Sequence, residues 1–111
     1  MNLSEAEYDA RALPELHRLV DALDALDEDA LEAELAADIL TIEFSDGAKY
    51  VINSHRAARQ IWMAAERLAW HFDWNPGSAQ WVAAKTGDEL WSVVERSLAS
   101  RLGHQVALKR I

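Results

Sequence analysis

The sequence predicts an α/β (α+β) two-layer sandwich, an antiparallel sheet of five to six strands covered on one face by an N-terminal and a C-terminal helix. Three observations carry this reading. Apolar residues recur at three- and four-residue steps at both ends of the chain. Between them they alternate at every second residue, as in half-buried strands. Turn-forming clusters, Ser45-Asp46-Gly47 and Asn75-Pro76-Gly77-Ser78, punctuate the alternating middle. Each helical segment has a single apolar face, so both can lie on one side of a sheet whose other side meets water.

The first helix is read from Tyr8, Ala12, Leu16, Leu19, Val20, Leu23 and Leu26, the stripe of an amphipathic helix. Ser4 and Glu7 have capping-box spacing for an early start. Pro14 falls on the opposite face. Either the helix begins afresh there, or it loses a bond to the Ala10 carbonyl and kinks. Residues 30–37 favour helix by composition, yet Leu31, Ala33, Leu35 and Ala37 alternate, and the stretch is read as an edge strand. In Ile39–Phe44, Leu40, Ile42 and Phe44 face inward. After the Asp-Gly turn, residues 48–53 return with Tyr50 and Ile52 inward. Residues 60–64 place Ile61 and Met63 inward and Gln60 and Trp62 outward. Residues 68–74 put Trp70, Phe72 and Trp74 on the core face, with His71 and Asp73 opposite. Gln80–Ala83 forms a short strand around Trp81. The last helix is expected to open at Thr86, with Glu89 reaching back to cap it. Its stripe is Leu90, Val93, Val94, Leu98 and Leu102, with Trp91 at the border and Gly103 as the stop. Residues 105–110 form a tail that folds back along the domain.

A chain of 111 residues fits one domain, residues 1–111. It has no cysteine, which excludes disulfides, thiolate metal sites and thiol nucleophiles. No apolar run approaches the ~20 residues of a membrane span, and no secretion signal is visible, so the cytoplasm is the expected compartment. The charge is unevenly placed. The first 46 residues hold fourteen acids and two bases, the remaining 65 five acids and nine bases, for a net −8. An acidic protein lacks the cations that nucleic acid binding requires. A half this acidic suggests a surface for metal ions or a basic partner. Asp24, Asp27, Glu28 and Asp29 gather near the C-terminal end of the first helix, where the dipole disfavours each carboxylate by roughly 0.3–1 kcal/mol. Rules broken locally tend to mark function.

Read in order, Ile39–Phe44, Asp46-Gly47, Val51-Ile52-Asn53, Gln60-Ile61-Trp62, His71-Phe72-Asp73-Trp74 and Trp81-Val82 resemble the successive strands of the frataxin family, in its bacterial, CyaY-like branch. The likeness covers nearly the whole chain. It implies a single frataxin-like domain and weak iron binding by an acidic ridge: Asp21, Asp24, Asp27, Glu28, Asp29, Glu32 and Glu34. It also implies contact with the cysteine desulfurase and scaffold of iron–sulfur cluster assembly, through Asn53, Gln60, Trp62 and His71 on the open sheet. Four features depart from the family pattern. His55 and Ala57 stand where Gln and Pro are common. Glu66–Ala69 replaces a glycine-rich loop. Ala37-Asp38 replaces a turn that often holds glycine, and there are five tryptophans.

The residues themselves offer narrower hints. Asp21, Asp24 and Glu28 are spaced to share one row of a helix, and oxygen-only ligands suit ferric iron, Ca²⁺ or Mn²⁺. A solvated acidic face explains the same spacing. Trp62 on a bare sheet is an interface anchor or is covered by a neighbouring loop. His17 could extend the acidic row. His55 and His104 read as loop and helix-end residues. No phosphate-binding loop, paired-histidine motif or Ser-His-Asp arrangement occurs, so catalysis by this chain is not expected. The leading expectation is a monomeric, iron-binding regulator that docks on a desulfurase. The alternative from another class is an acidic, dimeric chaperone of secretion type, or an interaction domain without metal function. A mass measurement in solution separates the monomer from the dimer.

Overall fold

In the computed structural model of the chain, which describes residues 3–26 and 28–110, helix α1 spans Glu5–Asp24. Its start follows from the Ser4–Glu7 spacing. The Glu7 amide donates to Ser4 Oγ at 3.1 Å, and the Ser4 amide donates to Glu7 Oε1 at 3.0 Å. Helix α1 therefore does not begin at Pro14 but runs through it. The bond lost at the Ala10 carbonyl lies on the exposed face, where water can replace it. Tyr8, Ala12, Leu16, Leu19 and Leu23 are buried as the stripe requires, while Val20 and Leu26 lie half-buried at its border. Ala22 and Glu15 are buried as well.

Six strands follow: β1 Leu31–Ala36, β2 Ile39–Phe44, β3 Lys49–His55, β4 Gln60–Ala65, β5 Leu68–Asn75 and β6 Gln80–Ala83. They pair antiparallel in sequence order, an unbroken meander. The stretch 30–37 thus resolves as the edge strand. Period-2 alternation sets the two faces. Leu40, Ile52, Met63 and Trp70 stand in one cross-strand row on the core side, with Ile61 and Phe72 in the next. Full burial of each such aliphatic side chain contributes roughly 1.5–3 kcal/mol.

Helix α2 spans Leu90–Leu102 and lies with α1 on this face, completing the α+β sandwich. Its N-cap is three residues later than the capping-box reading from Thr86. The Ala83 amide donates to the Asp88 carbonyl at 2.8 Å, and Val82 bridges Glu89, so residues 84–89 return alongside β6. Only then can helical turns begin. Glu89 is itself the N-cap, accepting from the Trp91 and Ser92 amides at 2.8 and 3.2 Å, while Thr86 Oγ1 takes the Asp88 amide. Trp91 is buried, not at the border, and Trp81 is buried in the centre of the core. Gly103 stops α2 in the left-handed region, at φ +79°. The tail does fold back: Leu108 is buried, and its amide donates to Glu95 Oε2 at 2.7 Å.

Two core assignments need correction. Trp70 and Trp74 face the core side but are half-buried; only Phe72 of that trio is fully enclosed. Both pack against the margin of the core, and the Arg11 guanidinium of α1 lies over the Trp74 ring at 4.5 Å. Among the described residues, no helix is long and apolar enough to cross a membrane.

Candidate functional site: an acidic cleft and an open aromatic sheet

The end of α1, the link to β1 and the outer strands bring the acidic residues together. Asp24, Glu28, Asp29 and Glu32 line one shallow cleft of about 310 Å³. Asp29, Glu32 and Glu43 line an adjoining one of about 250 Å³. Asp21 lies one helical turn back, exposed, and Glu34 is exposed two residues along β1 on the same face as Glu32. Asp27 falls outside the described residues. The expected helical row of Asp21, Asp24 and Glu28 does not form, because α1 ends at Asp24 and Glu28 sits in the link. Instead β1 folds back and presents Glu32 beside them.

Glu43 was not expected in this group. Its signal was the strand register: a two-residue turn at Ala37-Asp38 sets Glu32 directly opposite Glu43. Among the described ridge carboxylates, only Glu28 has a side-chain nitrogen within reach, His104 Nε2 at 3.2 Å. His17 is exposed on α1 and does not line the cleft. Carboxylate oxygens suit a hard cation. Yet among the described residues no three such side chains converge closely enough to enclose one. The donor chemistry fits a weakly held, solvent-facing ion and not a closed cage.

The second half of the site is the uncovered face of the sheet. Asn53, Trp62 and His71 stand in register across β3, β4 and β5, with Gln60 opposite Asp73 in the next row. Trp62 points away from the core, as expected, and is half-buried between its strand neighbours. Its ring is stacked between two imidazoles, His55 at 3.8 Å and 16°, and His71 at 4.2 Å and 13°. The indole Nε1 donates to Gln60 Oε1 at 2.8 Å, and Gln60 Nε2 donates to Asp73 Oδ1 at 3.0 Å. Asn53 Nδ2 turns to the Ser54 carbonyl at 3.1 Å. His55, read from sequence as a loop residue, is the last residue of β3, two positions from Asn53 and so on the same face.

Comparison with known proteins decides the family. Residues 1–104 match the frataxin-like domain. The chain belongs to the frataxin-like family. A relative from Stutzerimonas stutzeri is 33% identical over 103 residues, covering 86% of both chains, and is named iron-sulfur cluster assembly protein CyaY. A Pseudomonas putida protein of the same name is 31% identical over the full length of both. Among solved structures, the frataxin of Psychromonas ingrahamii superposes with a TM-score of 0.84 at 21% identity, over 98% of this chain and 99% of that one. Yeast frataxin gives 0.74 at 26% identity, over 92% and 85%. The two-layer sandwich is thus the frataxin fold.

Proposed function

We propose that this frataxin-like chain serves iron–sulfur cluster assembly as a monomeric cytoplasmic regulator, binding iron weakly on its acidic ridge and docking on a cysteine desulfurase and its scaffold. Its action is docking, not bond-making. The relatives' name supports the assembly role. The observation that carries the docking reading is the cleft of Asp24, Glu28, Asp29 and Glu32, continuous with Glu34 at the margin of the open sheet. A basic patch on the desulfurase would be steered to that field and held there. Asn53, Gln60, Trp62 and His71 would complete the contact. Iron on the ridge would neutralise part of the charge and so couple metal level to docking.

Replacing Asp21, Asp24, Asp27 and Glu28 with Lys is expected to abolish capture of the desulfurase in a pull-down; undiminished capture rejects the docking reading. In an NMR titration, Fe²⁺ is expected to broaden the ridge amides selectively, with the Trp62 indole unaffected. Uniform broadening over the surface would remove the case for a metal role.

A further inference from the structure

Trp62 is held in an unusual way for a residue on a bare sheet. Both faces of its indole are covered by near-parallel imidazoles, and its N–H is already bonded. His55 contributes mainly by packing, because its Nδ1 is buried without a hydrogen-bond partner. Stacked aromatic pairs gain energy beyond their buried area, and a side chain fixed before association does not have to be immobilised during it. Two consequences follow from the geometry. The ring cannot accept a cation over either face, since neither is open. What remains for a partner is the C–H edge, the positive rim of the quadrupole, which suits a carbonyl oxygen or the face of another aromatic ring.

We propose that His55 and His71 are positioning residues that clamp Trp62 edge-on for its partner, so that the desulfurase's basic side chains are taken by the acidic ridge and never by this indole. The inference rests on the docking function proposed above. Its occupant is the same desulfurase, because Glu32 and Glu34 lie on the same sheet face as the clamp, and one partner surface can engage both.

The test uses the full chain, ¹⁵N-labelled, and purified cysteine desulfurase. The Trp62 indole signal is assigned with Trp62→Phe. His55→Ala and His71→Ala are each expected to move that signal while the other four indoles hold. Each should weaken desulfurase binding by about three- to tenfold, the cost of ordering one large side chain. His55→Phe and His71→Phe keep a stacking ring and are expected to stay within about twofold of the parent. If the Ala variants change neither signal nor affinity while Trp62→Ala still weakens binding, the clamp is wrong and the docking surface stands. Phe variants as weak as the Ala variants would also overturn it, since the imidazoles would then act by hydrogen bonding to the partner. If Trp62→Ala binds normally, the sheet face is not the docking surface, and the clamp falls with it.

Discussion

A phenol and a guanidinium together tie both hairpin turns at one end of the sheet to α2. Tyr50 is buried, and its hydroxyl donates to Glu66 Oε2 at 2.6 Å, in the turn between β4 and β5. Arg101 of α2 donates to the same Glu66 oxygen at 2.8 Å and also pairs with Asp46 in the turn between β2 and β3. Burial, and then the Glu66 hydrogen bond and charge, push the Tyr50 phenol up to about 12. The same hydrogen bond, followed by that of Arg101, holds the Glu66 carboxyl below its ordinary range. The signs give two windows. A raised phenol stabilises the fold fully below its unfolded value of about 10, and that share is lost as pH climbs toward about 12. A lowered carboxyl stabilises fully above its unfolded value of about 4.3, and that share is lost as pH falls through the folded value. Tyr50→Phe is therefore expected to flatten stability against pH on both sides, most clearly between pH 10 and 12. Thermal melts across the pH range check this, and an alkaline limb as steep as the parent's would refute the linkage.

Elements here are set by short-range pattern, but their ends and joints are set by distant contacts. Period-2 alternation located all six strands, because one buried face enforces it. The start of α2 departs from its local pattern, since Thr86 and Glu89 carry capping-box spacing that a backbone pairing to β6 overrides. Glu43 and His55 were missed for a related reason: which carboxylates share a cleft, and which ring stacks on Trp62, depends on register between strands. The tie between the helices was equally illegible. Glu15, only 8% exposed, accepts from Trp91 Nε1 at 2.8 Å, with Arg18 more loosely placed at 3.4 Å. Trp91→Phe leaves Glu15 Oε2 buried without its donor, so it should cost about 1–3 kcal/mol. Trp91→Phe combined with Glu15→Leu should recover most of it, because replacing both partners by apolar groups removes the unsatisfied acceptor. Chemical denaturation of both variants separates this from a simple loss of packing, in which the double variant would be no better. Turn chemistry offers a gain instead. Ala37 sits at φ +56° in the two-residue turn between β1 and β2, where the resemblance to the family suggested glycine. Ala37→Gly is expected to stabilise by about 0.5–1 kcal/mol, the left-handed strain relieved outweighing the added freedom of the unfolded chain.

Across the whole molecule the charge distribution sets stability against the proposed cation binding. The acidic half folds onto itself: the link after α1, β1 and β2 converge, and Glu32 faces Glu43 across the ladder. Like charges directly opposite on a sheet destabilise it, by roughly 0.2–1 kcal/mol per pair. The two residues do not share that cost equally. Glu43 has Lys49 on its other side, on β3, while Glu32 lies on the edge strand with Asp29 and Glu28 as cleft neighbours. The uncompensated repulsion therefore falls on Glu32. Glu32→Gln keeps the size and exposure of the side chain and removes one charge from both clefts. It is expected to stabilise the fold by several tenths of a kcal/mol in low salt. The gain should shrink toward zero near 0.5 M salt, where screening already removes the repulsion over a few ångströms. On the function proposed above, the same change is expected to weaken both Fe²⁺ binding and desulfurase capture, since the field that strains β1 is the field those cations would meet. Melting temperature measured against salt, with a parallel pull-down, reads both effects on one variant. A Glu32→Gln protein that gains no stability in low salt would show that this edge bears no repulsive cost.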